Sequence, residues 1–155
     1  GNKSFVVLDG KEGKKYDGAG IPAFSAFSPD SQHFAYIAHE GNKGFVVLDG
    51  KEGKKYNEVN GFSFTFSPDS QHFAYLAKED NKKFIVLDGK EKKKYDWVGI
   101  SIFSPDNQRF AYAAGEDNKN FMVLDGKEGK KYDQVYPLTF SPDSQHFAYW
   151  AKRGN

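Results

Sequence analysis

Apolar residues fall in short runs that polar turn residues separate, and the order of these runs repeats along the chain. The run "FVVLD" begins at Phe5 and returns, with small changes, at Phe45, Phe84 and Phe121. Successive starts lie 40, 39 and 37 residues apart, and a regular period of this length indicates a repeat architecture. We therefore predict a single domain, 1–155, built from four units at approximately 5–44, 45–83, 84–120 and 121–155.

Each unit is predicted to contain four short strands and no helix. "SFVVLDG" is rich in β-branched and aromatic residues, and "KKYD", after a Lys-Glu-Gly turn, is predicted to pair with it as a hairpin. "GFSFTF" at 61–66 alternates Phe with small or hydroxylated residues at period two, and Ser-Pro-Asp then turns the chain into "QHFAY". Because Pro and Gly recur every few residues, no helical spacing is kept, and we predict an all-β fold.

Four-stranded antiparallel units that repeat about every 40 residues are typical of β-propeller blades. "FSPDSQHFAYIA" followed by "GFVVLDG" resembles the TolB-like or WD-repeat-like propeller repeat, which runs from aromatic-Ser-Pro-Asp through Ile/Phe-Ala-Phe/Tyr to an apolar strand ending in Asp-Gly. The resemblance covers all four copies and implies a propeller used for protein interaction. This chain departs from that pattern in having four copies, where relatives usually close with six to eight blades. It also has Ser or Asn where the family commonly has Gly, at Ser31, Ser70, Asn107 and Ser144.

The two ends of the chain are predicted to complement each other. In that family the strand entering "FSPD" is innermost, and "HFAY", "FVVLD" and "KKYD" follow outward. The chain starts with two outer strands, predicted at 5–8 and 14–17, and ends with two inner strands around Phe140 and Phe147. Pairing these halves would leave no open sheet edge. It would close four blades within one chain or eight blades in a homodimer, and we favour the homodimer because eight blades keep the usual packing angles.

Charge and composition narrow the classes of partner. The chain has 22 basic and 21 acidic residues, a net charge of +1, so no whole-chain field attracts nucleic acid or an anionic membrane. It has no cysteine for a disulfide or a thiolate metal site, and we expect no cofactor. We expect a soluble chain, since no apolar run approaches a membrane span and "GNKSFVVLDG" lacks a signal peptide's apolar stretch. No cellular compartment is predicted.

The residues able to carry chemistry are predicted to be structural. His33, His72 and His146 share one repeat position with Arg109, and Arg does not ligate metals, so we expect partly exposed residues at a strand start. The Ser and Asp of each "SPD" have no histidine fixed between them as a base, and we assign them to turns. We therefore predict no catalytic residue, no metal site and no enzymatic activity.

The segments between "KKYD" or "KKYN" and "FSPD" differ in every copy while their flanks hardly change. We predict that these segments, 18–24, 58–62, 97–100 and 134–137, form loops that gather on one face, around the mouth of the central channel. Loops on a rigid scaffold often carry function, and aromatic clusters form binding hot spots. The alternative is that these side chains plug the channel. The candidate ligand-binding residues are Ile21, Phe24, Asn60, Phe62, Trp97, Ile100, Gln134 and Tyr136.

These observations predict a non-catalytic propeller scaffold or binding module whose ligand, a peptide or a small polar molecule, would bind at the channel mouth. An engineered or excised set of blades, with assembly as its only property, remains open, because both chain ends occupy the same phase of the repeat. So does a lectin with one sugar site per blade, built on Tyr16, Tyr56, Tyr95 and Tyr132. The last alternative is an accessory domain of a hydrolase.

Overall fold

The computed structural model describes residues 2–22 and 26–154, and within these residues the chain is all β. Sixteen strands and no helix occur in this part of the chain. The strands are β1 (Val7–Leu8), β2 (Lys11–Glu12), β3 (Gly18–Gly20), β4 (Ala35–Glu40), β5 (Lys43–Leu48), β6 (Lys51–Glu52), β7 (Glu58–Phe66), β8 (Phe73–Glu79), β9 (Lys82–Leu87), β10 (Lys90–Glu91), β11 (Trp97–Phe103), β12 (Phe110–Glu116), β13 (Lys119–Leu124), β14 (Lys127–Glu128), β15 (Gln134–Phe140) and β16 (Phe147–Lys152).

The strands form three complete blades and two half-blades, as the repeat pattern predicts. The first blade is β3-β4-β5-β6, the second β7-β8-β9-β10 and the third β11-β12-β13-β14, each an antiparallel four-stranded sheet in chain order. β1 and β2 form an N-terminal half-blade of outer strands, and β15 and β16 form a C-terminal half-blade of inner strands. The fold is therefore a β-propeller architecture of four-stranded antiparallel blades.

The outer hairpin differs from its predicted form. Asp49 and Gly50 both have positive φ, 50° and 76°. Positive φ at both residues is typical of the two-residue hairpin turn whose twist matches that of the paired strands. The Lys-Glu that follows, expected in the turn, therefore pairs directly as strand β6. "KKYD", expected as the fourth strand at 14–17 and its equivalents, contributes only an isolated bridge, such as that between Gly44 and Tyr56.

The variable segments also differ from their prediction as loops. In the second, third and fourth copies they are the first residues of the innermost strands β7, β11 and β15. Each of these strands changes register at the end of the variable segment, between Asn60 and Thr65 in β7 and between Val98 and Ser101 in β11. Such a bulge lets one strand hold extra residues and aim side chains away from the regular ladder.

Aromatic side chains join one blade to the next. The rings of Tyr16, Tyr56 and Tyr95 are almost completely buried, and Tyr56 contacts Phe84 of the next blade edge-on, with ring centroids 5.4 Å apart. The hydroxyl of Tyr56 donates to Glu91 of that blade at 3.2 Å, and Lys54 binds the same carboxylate at 2.6 Å. Burial raises the pKa of the Tyr56 hydroxyl well above its usual value. These three ring faces are therefore unavailable to stack on a sugar.

Candidate functional site

The structure brings most of the predicted site residues together in two separate groups. Trp97, Ile100 and Tyr136 line one cleft, between the third blade and the C-terminal half-blade. Ile21 and Phe62 line another, between the first and second blades. Phe24 lies outside the described residues. Five of the eight candidates therefore lie in two clefts between successive blades.

The cleft between the third blade and β15 has a volume of about 330 Å³ and an apolar lining. β11 and β12 supply one wall, β13 supplies the floor, and β15, which packs across β12 and β13, supplies the other wall. Trp97 is 40% exposed and Tyr136 is 47% exposed at its rim. We call these residues the Trp97 cleft: Trp97, Gly99, Ile100, Ile102, Ala113, Met122, Val135, Tyr136 and Leu138.

A small residue at one repeat position opens the Trp97 cleft. Ala113 follows the tyrosine of "FAY" in the third blade, where the other copies have the larger residues Ile37, Leu76 and Trp150. Gly99 on the neighbouring strand adds no side chain to this wall. Ala113 and Met122 were not predicted as site residues, because they vary at single positions inside conserved strands and lie outside the variable segments.

The second cleft has a volume of about 510 Å³, and it is more polar and more open to solvent than the Trp97 cleft. Ile21 and Phe62 lie at its edge with Pro22, and His39 and Ser4 add polar groups to its lining. Its lining residues Ile21 and Pro22 immediately precede, in sequence, residues 23–25, which lie outside the described part of the chain. We build no site on it.

The two polar candidates support the backbone next to the aromatic residues. The side-chain oxygen of Asn60 accepts a hydrogen bond from the backbone N–H of Phe62 at 2.9 Å, which fixes the bulge in β7. The side-chain oxygen of Gln134 accepts one from the hydroxyl of Tyr136 at 3.3 Å. The Tyr136 ring also contacts Trp150 edge-on, with centroids 4.7 Å apart. Gln134 and Trp150 therefore hold the Tyr136 ring at the rim of the Trp97 cleft.

Two of the repeated histidines, His33 and His72, bind aspartates of their own blades. His33 Nδ1 lies 2.7 Å from Asp49 Oδ2, and the other oxygen of Asp49 accepts the backbone N–H of Phe34 at 2.9 Å. This hydrogen bond raises the pKa of His33. Arg109 and Asp125 form the same contact in the third blade, at 3.0 Å. The prediction of partly exposed residues at a strand start is confirmed.

Neighbouring copies of this position line a shared cleft. His33 and His72 both line a cleft of about 350 Å³ between the first and second blades, with Asp49 and Asp88. In residues 2–22 and 26–154 no three His, Asp or Glu side chains are grouped to hold a metal ion.

The Ser and Asp of each "SPD" form the turn that their spacing predicts. In the second blade the Ser67 hydroxyl donates to Asp69 Oδ1 at 2.5 Å and accepts the backbone N–H of His72 at 2.9 Å. The next turn residue, Ser70, has φ 63° and accepts the backbone N–H of Asp30 from the preceding blade at 3.1 Å. A side-chain oxygen at this position therefore joins two blades, which glycine could not do.

Acid is expected to destabilise the fold. Hydrogen bonds from Ser28 and Ser67 lower the pKa of Asp30 and Asp69, and the lysine contact lowers the pKa of Glu91. A carboxyl group whose pKa is lower in the folded than in the unfolded state stabilises the fold fully at pH values above its unfolded pKa, about 4. This stabilisation is lost as the pH falls through the folded-state pKa. Thermal unfolding followed by circular dichroism should give a midpoint that falls steadily below about pH 4. A midpoint that rises on acidification would contradict this assignment.

The described residues contain no helix with the length and apolar character of a membrane span. No protein-family model matches the chain, and no curated protein is significantly similar to it in sequence. Among solved structures, TolB from Acinetobacter baumannii is 17% identical to this chain, with a TM-score of 0.56 over 88% of this chain and 38% of the TolB chain. Hydrazine synthase from Kuenenia stuttgartiensis is 12% identical, with a TM-score of 0.44 over 95% of this chain and 55% of that chain.

The chain thus spans little more than a third of the TolB chain that it resembles. At this level of identity the likeness concerns the fold alone. The sheet topology and the similarity to TolB together make the chain a β-propeller array of three complete blades flanked by two half-blades.

Proposed function

We propose that the chain is a non-catalytic binding module that holds a peptide by an apolar side chain inserted into the Trp97 cleft. The observation that carries this proposal is the opening made by Ala113, at the one repeat position where the other copies have Ile, Leu or Trp. The opening lies between two exposed aromatic residues, Trp97 and Tyr136. Binding pockets are typically apolar concavities of roughly 300–1,000 Å³ with few polar groups, and the Trp97 cleft has these properties.

The chemistry of the cleft favours a peptide over the small polar ligand that the sequence also allowed. Apart from Trp97 and Tyr136 at the rim, its lining residues offer no side-chain N–H or O–H group to a buried polar molecule. Burying a polar group without a hydrogen bond is unfavourable. An apolar anchor would fill the cleft, while Trp97 and Tyr136 contact the flanking peptide and exclude water from it.

Filling the cleft is expected to abolish binding while keeping the fold. Ala113→Leu introduces the residue that the second blade already has at this position, Leu76, so the strand can accept it. We expect peptides selected from a random display library on the wild-type chain to lose affinity for the variant about tenfold or more, because the anchor site is occupied. Isothermal titration calorimetry measures the affinities.

The matched control is Leu76→Ile, a volume-conserving change at the same repeat position of the second blade. It should leave peptide affinity unchanged. Circular dichroism of both variants checks that each retains the wild-type β spectrum. The proposal is wrong if no peptide is enriched on the wild-type chain, or if the enriched peptides bind the Ala113→Leu variant as tightly as the wild type.

A further inference from the structure

The two half-blades expose apolar side chains that the complete blades bury. Val7 in β1 is 51% exposed, whereas its equivalents Val47, Val86 and Val123 are completely buried. At the other end Trp150 in β16 is 55% exposed, whereas Leu76 at the same position is buried. In a complete blade the strand equivalent to β16 pairs with the strand equivalent to β1, for example β8 with β9. Each half-blade therefore presents the face and edge that the other would cover.

Charged side chains at the two ends form complementary sets. In each complete blade an aspartate at the end of the third strand binds the His or Arg that precedes the second, as Asp88 binds His72 at 2.7 Å. The equivalents Asp9 and His146 belong to different half-blades, and their side chains have no ion-pair or hydrogen-bond partner among the described residues. Asp9 and His146 are thus the two halves of the Asp–His pair that each complete blade forms within itself or, in the third blade, as an Asp–Arg pair.

A second set of groups, which joins successive blades, is divided in the same way. Lys93 and the hydroxyl of Tyr95 bind Glu128 of the next blade at 2.6 Å and 3.0 Å. The next lysine and tyrosine in this series are Lys130 and Tyr132, in the third blade. The glutamate that would accept them is Glu12, in the N-terminal half-blade, and no described residue forms an ion pair with it. The Asp–His contact within a blade and the Lys–Tyr–Glu contact between blades are therefore both divided between the two half-blades.

Within residues 2–22 and 26–154, the two ends of the chain do not pair with each other. β1-β2 and β15-β16 are separate two-stranded sheets, and neither pairs with the other. Strand edges and apolar faces left open in this way are templates for pairing with another chain. A second copy offers the required partner at both ends at once, because its N-terminal half-blade fits the first copy's C-terminal half-blade and the reverse. This reciprocity is the closed twofold symmetry of most homodimers.

We propose that two copies of this chain assemble by completing each other's half-blades. In each shared blade β16 of one copy pairs with β1 of the other, Asp9 binds His146, and Glu12 accepts Lys130 and Tyr132. Two chains, each with three complete blades and two half-blades, then form a ring of eight blades. The interaction surface meets the Trp97 cleft at Trp150, which contacts Tyr136. The mass in solution and the peptide titration are separate measurements, so failure of one proposal is distinguished from failure of the other.

A cysteine pair placed across the shared blade tests the arrangement, since the chain has no cysteine of its own. In the complete blades His39 lies opposite Gly44, and Lys78 lies opposite Lys83. The equivalent residues are Lys152 and Ser4, both exposed. Opposed residues of antiparallel strands are close enough for a disulfide. Oxidation of the chain carrying both Ser4→Cys and Lys152→Cys should give a covalent dimer on a non-reducing gel, and Ser4→Cys alone should not.

Light scattering of the wild-type chain should give about twice the chain mass of 17.5 kDa. Glu12→Lys should raise the dimer dissociation constant about tenfold, because it places like charges together in both shared blades, and adding Lys130→Glu should restore assembly. A disulfide within a single chain would show that the ends close on themselves and would overturn the proposal. So would a wild-type monomer that forms no cross-link in the double-cysteine variant.

Discussion

Replacing Phe84 with alanine is expected to lower the free energy of unfolding by about 3–5 kcal/mol. Phe84 is completely buried in β9 and packs edge-on against Tyr56, the residue that joins the first blade to the second. Lys94 also lies over its ring, with Nζ 4.8 Å from the centroid. The substitution removes a large apolar side chain and leaves a cavity at a contact between blades, where rigid sheets on both sides limit collapse. Urea unfolding followed by circular dichroism measures the loss.

The matched control is Phe62→Ala, the same chemical change at a side chain that is 77% exposed. Its effect on the free energy of unfolding should stay within about 0.5 kcal/mol, as for most surface substitutions. The pair of variants separates burial from the intrinsic effect of losing a phenyl ring. Equal losses in the two variants would contradict the packing of Phe84 between blades.

Replacing Ser67 with alanine is expected to cost about 1–3 kcal/mol, a large effect for one hydroxyl group. Ser67 is completely buried at the start of its turn, and its hydroxyl both donates to Asp69 and accepts the backbone N–H of His72. Without it, the N–H of His72 loses its partner, and the carboxylate of Asp69 loses the hydrogen bond that lowers its pKa. The thermal unfolding midpoint and the urea midpoint should both fall.

Ser101→Ala provides the control for this prediction, because Ser101 is also almost completely buried, at 1% exposure. Its hydroxyl has no hydrogen-bond partner among the described residues. Removing a buried polar group that makes no hydrogen bond should leave the free energy of unfolding unchanged or raise it. If Ser101→Ala costs as much as Ser67→Ala, the turn hydrogen bonds do not account for the effect at Ser67.

The histidine and serine positions show how far single-residue reasoning from sequence extends. The sequence correctly assigned Ser28 and Asp30 to a turn, because Ser-Pro-Asp has strong local preferences that need no tertiary context. It also placed His33 at a strand start, but it did not identify Asp49 as its partner. That partner lies 16 residues away and comes close only because the second and third strands of a blade pair.

The strand boundaries show where local preference was insufficient. The sequence places the outer return strand at "KKYD", yet the left-handed conformations of Asp and Gly make the turn tighter and bring Lys-Glu into the ladder. The variable segments lack a regular alternation and so resemble loops. In the second and third copies they are strands with bulges, since the neighbouring strand of the same blade supplies the pairing that their own pattern does not indicate.

By itself, the sequence determined the repeat unit, the all-β class, the four-stranded blade and the complementary phase of the two chain ends. These properties follow from periodic apolar runs and turn residues, which act over a few positions. Only the tertiary structure decided which variable residues share a cleft, and that Ala113 and Met122 form its interior. The reason is that a cleft between blades depends on side-chain volumes from strands far apart in sequence, where a single small residue changes the space that its neighbours leave open.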